Sequence, residues 1–136
     1  MKRYRFIEHT ADIGLVAEGN NLAEAFANAA YGMFSIIADL KPVREVKSRL
    51  IELEGKDMEA LLFDWLNTLL YLFDTDALLL KRFVISELSE NRLKATCHGE
   101  RYDPSRHRLK MGVKSATYHM LEVDREMNRV QLILDI

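Results

Sequence analysis

The chain has one cysteine, Cys97, and only 2 prolines and 6 glycines in 136 residues. A lone thiol cannot close an internal disulfide, which points to a reducing compartment. So few chain-breaking residues leave little room for linkers or disordered tails, and this length suits one cooperative core, so a single domain over 1–136 is expected. An excess of one charge is missing too: 19 Lys and Arg face 21 Asp and Glu, a formal net charge of −2. Any contact with nucleic acid or an anionic membrane therefore has to come from a local patch. The most apolar stretch, ALLFDWLNTLLYLF at 60–73, is interrupted by Asp64 and Asn67 and falls short of the roughly 20 residues that a membrane-spanning helix needs. The N-terminal MKRYRFIEHTADIG lacks the apolar core of a secretory signal. A soluble, cytoplasmic protein is the expectation. GxGxxG, Walker, CxxC, HExxH and GxSxG patterns are all absent, which removes the common enzyme signatures.

What is present is a globular pattern, 49% hydrophobic and 29% charged. Residues 3–7 alternate Tyr4 and Phe6 with Arg3 and Arg5, and 13–18 form a second short strand pattern ended by Gly19-Asn20. From Asn21 the spacing of Leu22, Ala25, Phe26, Ala29, Met33 and Ile37 predicts a helix, capped by Asn21 with Glu24 and stopped by Lys41-Pro42. Residues 44–54 read as a strand. Asp57 caps a second helix whose apolar face runs from Met58 through Trp65 to Phe73, with Asp74-Thr75-Asp76 as the break. Strands are predicted at 79–88, 92–99, 112–123 and 129–135. The order is β-β-α-β-α-β-β-β-β. It fits a two-layer α+β fold, with a largely antiparallel sheet and two helices packed on one face, better than a parallel doubly wound sheet. Cys97, in mid-strand, reads as a small buried hydrophobe.

Three segments carry residues with chemical capability. In EHTAD (8–12), Asp12 offers a hard carboxylate oxygen to Mg²⁺, Mn²⁺ or Ca²⁺, and His9 an imidazole nitrogen better suited to Mn²⁺ or Zn²⁺. The same residue types also build ordinary β-turns, in which Asp12 would bond backbone amides. At the other end, Asp135 and the α-carboxylate of Ile136 place two anionic oxygen donors side by side on a strand apolar enough to be tied into a sheet. A frayed, solvated terminus is the alternative. Alternation puts Val130, Leu132, Leu134 and Ile136 on one face, and Gln131, Ile133 and Asp135 on the other. The third segment, 99–119, holds Arg101, Arg106, Arg108, Lys110 and Lys114 against Glu100 and Asp103, which suits either a phosphate contact or a solvated basic loop. As a strand, VKSATYHML puts Lys114 and His119 on opposite faces, and His119 reads as a hydrogen-bonded core group rather than a ligand.

The order EHTADIGL, GERYDPSRH, VKSATYH and a closing RVQLILDI resembles the archease family over essentially the whole chain. Arg101 departs from the proline of the family's usual GEPYD-type segment. The resemblance implies the archease fold, related to strand-helix-strand-strand modules. It also implies a cytoplasmic accessory protein of tRNA splicing and RNA repair, without catalysis of its own. Such proteins promote guanylylation of the active-site histidine of a GTP-dependent RNA ligase and allow it multiple turnover. By motif, the metal-binding positions fall on Asp12, Asp135 and Ile136, with calcium, magnesium or manganese as the ion. Lys114 matches a further required lysine, and His9 and His119 match motif positions. The ligase is the implied partner, tRNA or other RNA an indirect one, and no membrane is involved. Two rivals remain: a chaperone-like interaction module for RNA-processing proteins, and a stand-alone metal-dependent phosphohydrolase, which the lack of a recognisable nucleophile or base beside the carboxylates disfavours.

Overall fold

Two polar side chains start the two helices. Asn21, in extended backbone, accepts the Glu24 amide on its Oδ1 at 2.8 Å and opens α1 (Leu22–Ile37). Asp57 accepts the Ala60 amide at 2.8 Å and opens α2 (Met58–Asp76). Glu24 in turn accepts the amide of Asn20, one residue before the cap, at 3.2 Å, so its carboxylate secures the approach to the helix and not the Asn21 amide that a reciprocal capping box would use. These elements belong to a computed structural model that describes residues 3–8 and 12–136. The strands are β1 (Tyr4–Glu8), β2 (Asp12–Glu18), β3 (Lys47–Glu54), β4 (Leu78–Leu88), β5 (Arg92–Arg101), β6 (Ser115–Ala116), β7 (Glu122–Asp124) and β8 (Arg129–Asp135).

The α+β class is as the sequence indicates, but the strands divide between two antiparallel sheets instead of forming one. β1, β2, β8 and β6 lie in that order, with β7 also paired to β8, while β3, β5 and β4 form a separate sheet. Both helices touch both sheets, so they do not cover one face of a single sheet. α1 packs on β2 and β8 and also on β4, and only Tyr31 along its length is exposed. The division is a matter of pairing. The middle strands close on one another through the turn between β4 and β5, and the outer segments of the chain find each other.

Aromatic contacts lock the layers together. Phe83 of β4 stacks on Phe34 of α1 with ring centres 5.9 Å apart and meets Trp65 of α2 edge-on at 6.1 Å. The indole N–H of fully buried Trp65 donates to the Phe26 carbonyl at 3.0 Å, joining α2 to α1. Gly99 marks a close approach of β5 to β4, since a Cβ there would lie 1.9 Å from the Leu79 carbonyl oxygen.

Helix ends differ from expectation. α1 stops at Ile37, before Lys41-Pro42, because Asp39 donates its amide to Arg108 and Lys110 donates to Ile37, drawing the chain into a bridge between Ala38 and Leu109. α2 continues through Asp74-Thr75-Asp76. There Thr75 bonds back to the Tyr71 carbonyl at 2.8 Å, Arg49 pairs with Asp76 at 2.9 Å, and Ala77 ends the helix in the left-handed region at φ 54°. No helix among the described residues is long and apolar enough to cross a membrane.

Candidate functional site

The five-stranded sheet turns Leu15, Ala17, Val130, Leu132 and Leu134 into the core, and alternation puts the intervening residues of β2 and β8 on its outer face. On that face Asp12 and Asp135 are direct cross-strand partners. Residues so placed have Cβ atoms about 5 Å apart, close enough for two carboxylates to share one cation. Asp12 is half-buried and Asp135 exposed. Ile136 is partly buried against the core, as alternation along the last strand predicts, and this holds the end of β8 in place. The carboxylates from the two ends of the sequence are therefore brought together.

Ser115 is the neighbour that sequence reasoning missed. It stands directly opposite Asp135 on β6, so one row across the sheet reads Asp12, Asp135, Ser115. Nothing local could have revealed it, because the pairing of β6 with β8 is a long-range choice. Lys114, exposed just before β6, donates its backbone N–H to the Asp135 carbonyl at 2.7 Å, which places it at the same end of the sheet. His9 lies outside the described residues. Among the described residues, no three His, Cys, Asp or Glu side chains group as metal ligands, so the acidic centre consists of the two aspartates.

The long strand predicted over 112–123 is not formed. Only Ser115–Ala116 and Glu122–Asp124 form strands on β8, and the stretch between them stays tied to Ile133 at Thr117 and His119 but leaves the extended conformation. Thr117 gives both its amide, at 3.0 Å, and its hydroxyl, at 2.8 Å, to the Ile133 carbonyl. Met120 then adopts φ 55°, a left-handed conformation that interrupts extended structure. His119 consequently sits exposed in a turn, not in the core, with its carbonyl accepting the Ile133 amide at 3.3 Å.

The basic segment is only partly available for a ligand. Arg106 pairs with buried Glu100 and, at 3.7 Å, with Asp103, and the Lys110 ammonium donates to the Ser35 carbonyl at 2.8 Å. Glu100 also receives the Arg44 amide at 2.7 Å and contacts His107 Nε2 at 2.9 Å. His107 Nδ1 accepts the Asp103 amide at 2.8 Å, which puts the ring proton on Nε2, facing Glu100. Burial pushes the Glu100 pKa up, but these hydrogen bonds and the Arg106 charge outweigh it and bring it down to about 2. The GERYDPSRH segment is therefore a fastened loop. At the far end of the sheet's outer face, a cleft of about 230 Å³ is lined by Arg3, Arg5, Glu18 and Arg129. Its charges are largely compensated, since Arg3 pairs with Glu24 at 2.9 Å and Arg129 with Asp124 at 3.5 Å.

These features define a small α+β protein in which two aspartates and a lysine sit together at one end of a sheet. The model described as the Archease protein family (MTH1598/TM1083) matches residues 4–136, and the chain belongs to that family. It is 39% identical to the protein archease of Methanosarcina acetivorans over 99% of this chain and 97% of that protein. With the protein archease of Sulfurisphaera tokodaii it shares 36% identity over 94% and 93%. Among solved structures, Methanobacterium thermoautotrophicum protein 1598 superposes with a TM-score of 0.83 at 34% identity, covering 100% of both chains. An archease from Thermotoga maritima, described as a possible chaperone, shares the fold at a TM-score of 0.57 and 22% identity, covering 95% of this chain and 92% of its own.

Proposed function

We propose that this chain is a non-catalytic accessory protein of a GTP-dependent RNA ligase of tRNA splicing and RNA repair, promoting guanylylation of the ligase's active-site histidine and repeated turnover. The observation that carries the reading is the cross-strand register of Asp12 and Asp135, which turns two distant carboxylates into one anionic centre. With the α-carboxylate expected at Ile136, the donor set is three hard oxygen groups, which fits a hydrated calcium, magnesium or manganese ion. Such an ion, when bound, supplies positive charge to the phosphates of a nucleotide. Asp12 and Asp135 orient it from a rigid ladder, while exposed Lys114 offers a cation at the same sheet end to a phosphate or to a ligase carboxylate. The partner is the ligase, with RNA contacted through it, and the setting is the cytoplasm.

The test is single-turnover guanylylation of the cognate ligase with GTP and Mn²⁺, comparing no added protein, wild type, and Asp12→Ala or Asp135→Ala checked for folding by circular dichroism. Wild type should stimulate, and the folded variants should lose at least about tenfold of that stimulation. Equal stimulation by the variants would remove the carboxylate pair from the mechanism. A second reading, a chaperone-like interaction module, is favoured by one feature: a mainly apolar cavity of about 190 Å³ lined by Ile37, Phe73, Leu109 and Met111. On that reading the aspartate variants would remain fully effective.

A further inference from the structure

β6 is short, and its backbone bonds to β8 lie along one edge: the Lys114 amide donates to the Asp135 carbonyl at 2.7 Å, the Thr117 amide to the Ile133 carbonyl at 3.0 Å, and the Ile133 amide to the His119 carbonyl at 3.3 Å. The chain then leaves the extended conformation at Met120. The two backbone groups of Ala116 are instead taken by a side chain from α2. Ala116 donates its N–H to Asn67 Oδ1 at 2.9 Å, and Asn67 Nδ2 donates to the Ala116 carbonyl at 3.1 Å. A primary amide carries a donor and an acceptor on the same edge, so Asn67 meets the N–H and C=O of Ala116 as a residue of a neighbouring antiparallel strand would. One helical turn earlier, Phe63 stacks on Tyr118 with ring centres 4.1 Å apart and planes inclined by 10°. Two side chains on one stripe of α2 thus grip the 114–118 segment at alternate residues.

We infer that Asn67 is a positioning residue for the accessory function: it sets the segment that carries Lys114 and Ser115 against Asp135, and so acts through Lys114. The inference rests on the proposed function. Asp12 and Asp135 do not depend on this grip, because a ladder of seven residue pairs between β2 and β8 fixes them. Loss of Asn67 therefore disturbs the lysine side of the centre and spares the carboxylate side.

The experiment is a double-mutant cycle in the guanylylation assay, with wild type, Asn67→Ala, Lys114→Ala and the double variant, alongside Mn²⁺ titration of each protein alone. Each single variant should lose about tenfold or more of the stimulation, as misplacement of a group at a reacting centre does. The double variant should be no worse than Lys114→Ala, since two residues acting as one unit are non-additive. Mn²⁺ affinity should stay within about twofold of wild type in all four proteins. Full stimulation by Asn67→Ala, or losses that multiply in the double variant, would overturn the inference while leaving the proposed function standing. Wild type that does not stimulate at all would overturn both. If Asn67→Ala does not fold, Asn67→Asp takes its place in the cycle: it keeps the acceptor for the Ala116 N–H and loses the donor to the Ala116 carbonyl.

Discussion

Glu100 is ionised in a place that would otherwise favour the neutral acid. Burial alone raises its pKa, and the Arg44 amide, His107 and Arg106 reverse that to hold it at about 2, below the ordinary 4.5 of a glutamate. A group whose folded pKa is depressed adds stability that is present above its unfolded pKa and is lost as pH falls through the folded one. The window for Glu100 runs from 4.5 down to about 2. Glu100→Gln should therefore destabilise the protein by roughly 2–3 kcal/mol at neutral pH. The difference from wild type should narrow across that window, which urea denaturation at pH 7 and pH 3 measures. A constant difference would mean that the charge plays no part. Cys97 shows the opposite outcome of burial, with nothing to offset it: the thiol is pushed up to about 12, and the residue behaves as the small hydrophobe its place in the sequence suggests.

Helices and strands report how far local pattern reaches. Asp57 caps α2 through a bond three residues ahead, and Asp57→Ala should cost about 1 kcal/mol in urea denaturation. Signals of that range were legible from the sequence: both N-caps, the buried faces of α1 and α2, and the parity of β8 that sends Asp135 outward. What escaped was anything decided at long range. VKSATYHML alternates like a strand, yet Thr117 spends its amide and hydroxyl on one carbonyl of β8 and Met120 turns left-handed, so the pattern is broken by a partner far along the chain. The same limit hid Ser115, whose significance is its register with Asp135, and Asn67, which reads as an interruption of an apolar helix until Ala116 is placed against it. The pairing of Asp12 with Asp135 belongs to this class too: each residue was recognisable as a donor, and only the β2–β8 ladder makes them one centre.

At the scale of the molecule, α1 joins the two sheets, so neither sheet has a core of its own. Phe34, fully buried and stacked on Phe83, sits at that junction. Phe34→Ala should cost about 3–5 kcal/mol. Trp65 fluorescence and far-UV circular dichroism should still fall together in one transition, and separated transitions would show that the sheets unfold independently. The divided strand beside β8 has a consequence for crowded solution. RVQLILD is an apolar, β-prone segment of the kind that recruits like segments from other chains when a long flat edge lies next to it. Here that edge is cut into pieces of two and three residues, kinked by a bulge and plugged at Ala116 by an amide side chain, so an incoming strand meets no continuous row of free donors and acceptors. The irregularity that defeats the strand pattern in the sequence also denies an incoming strand this edge of the sheet, the one opposite β1.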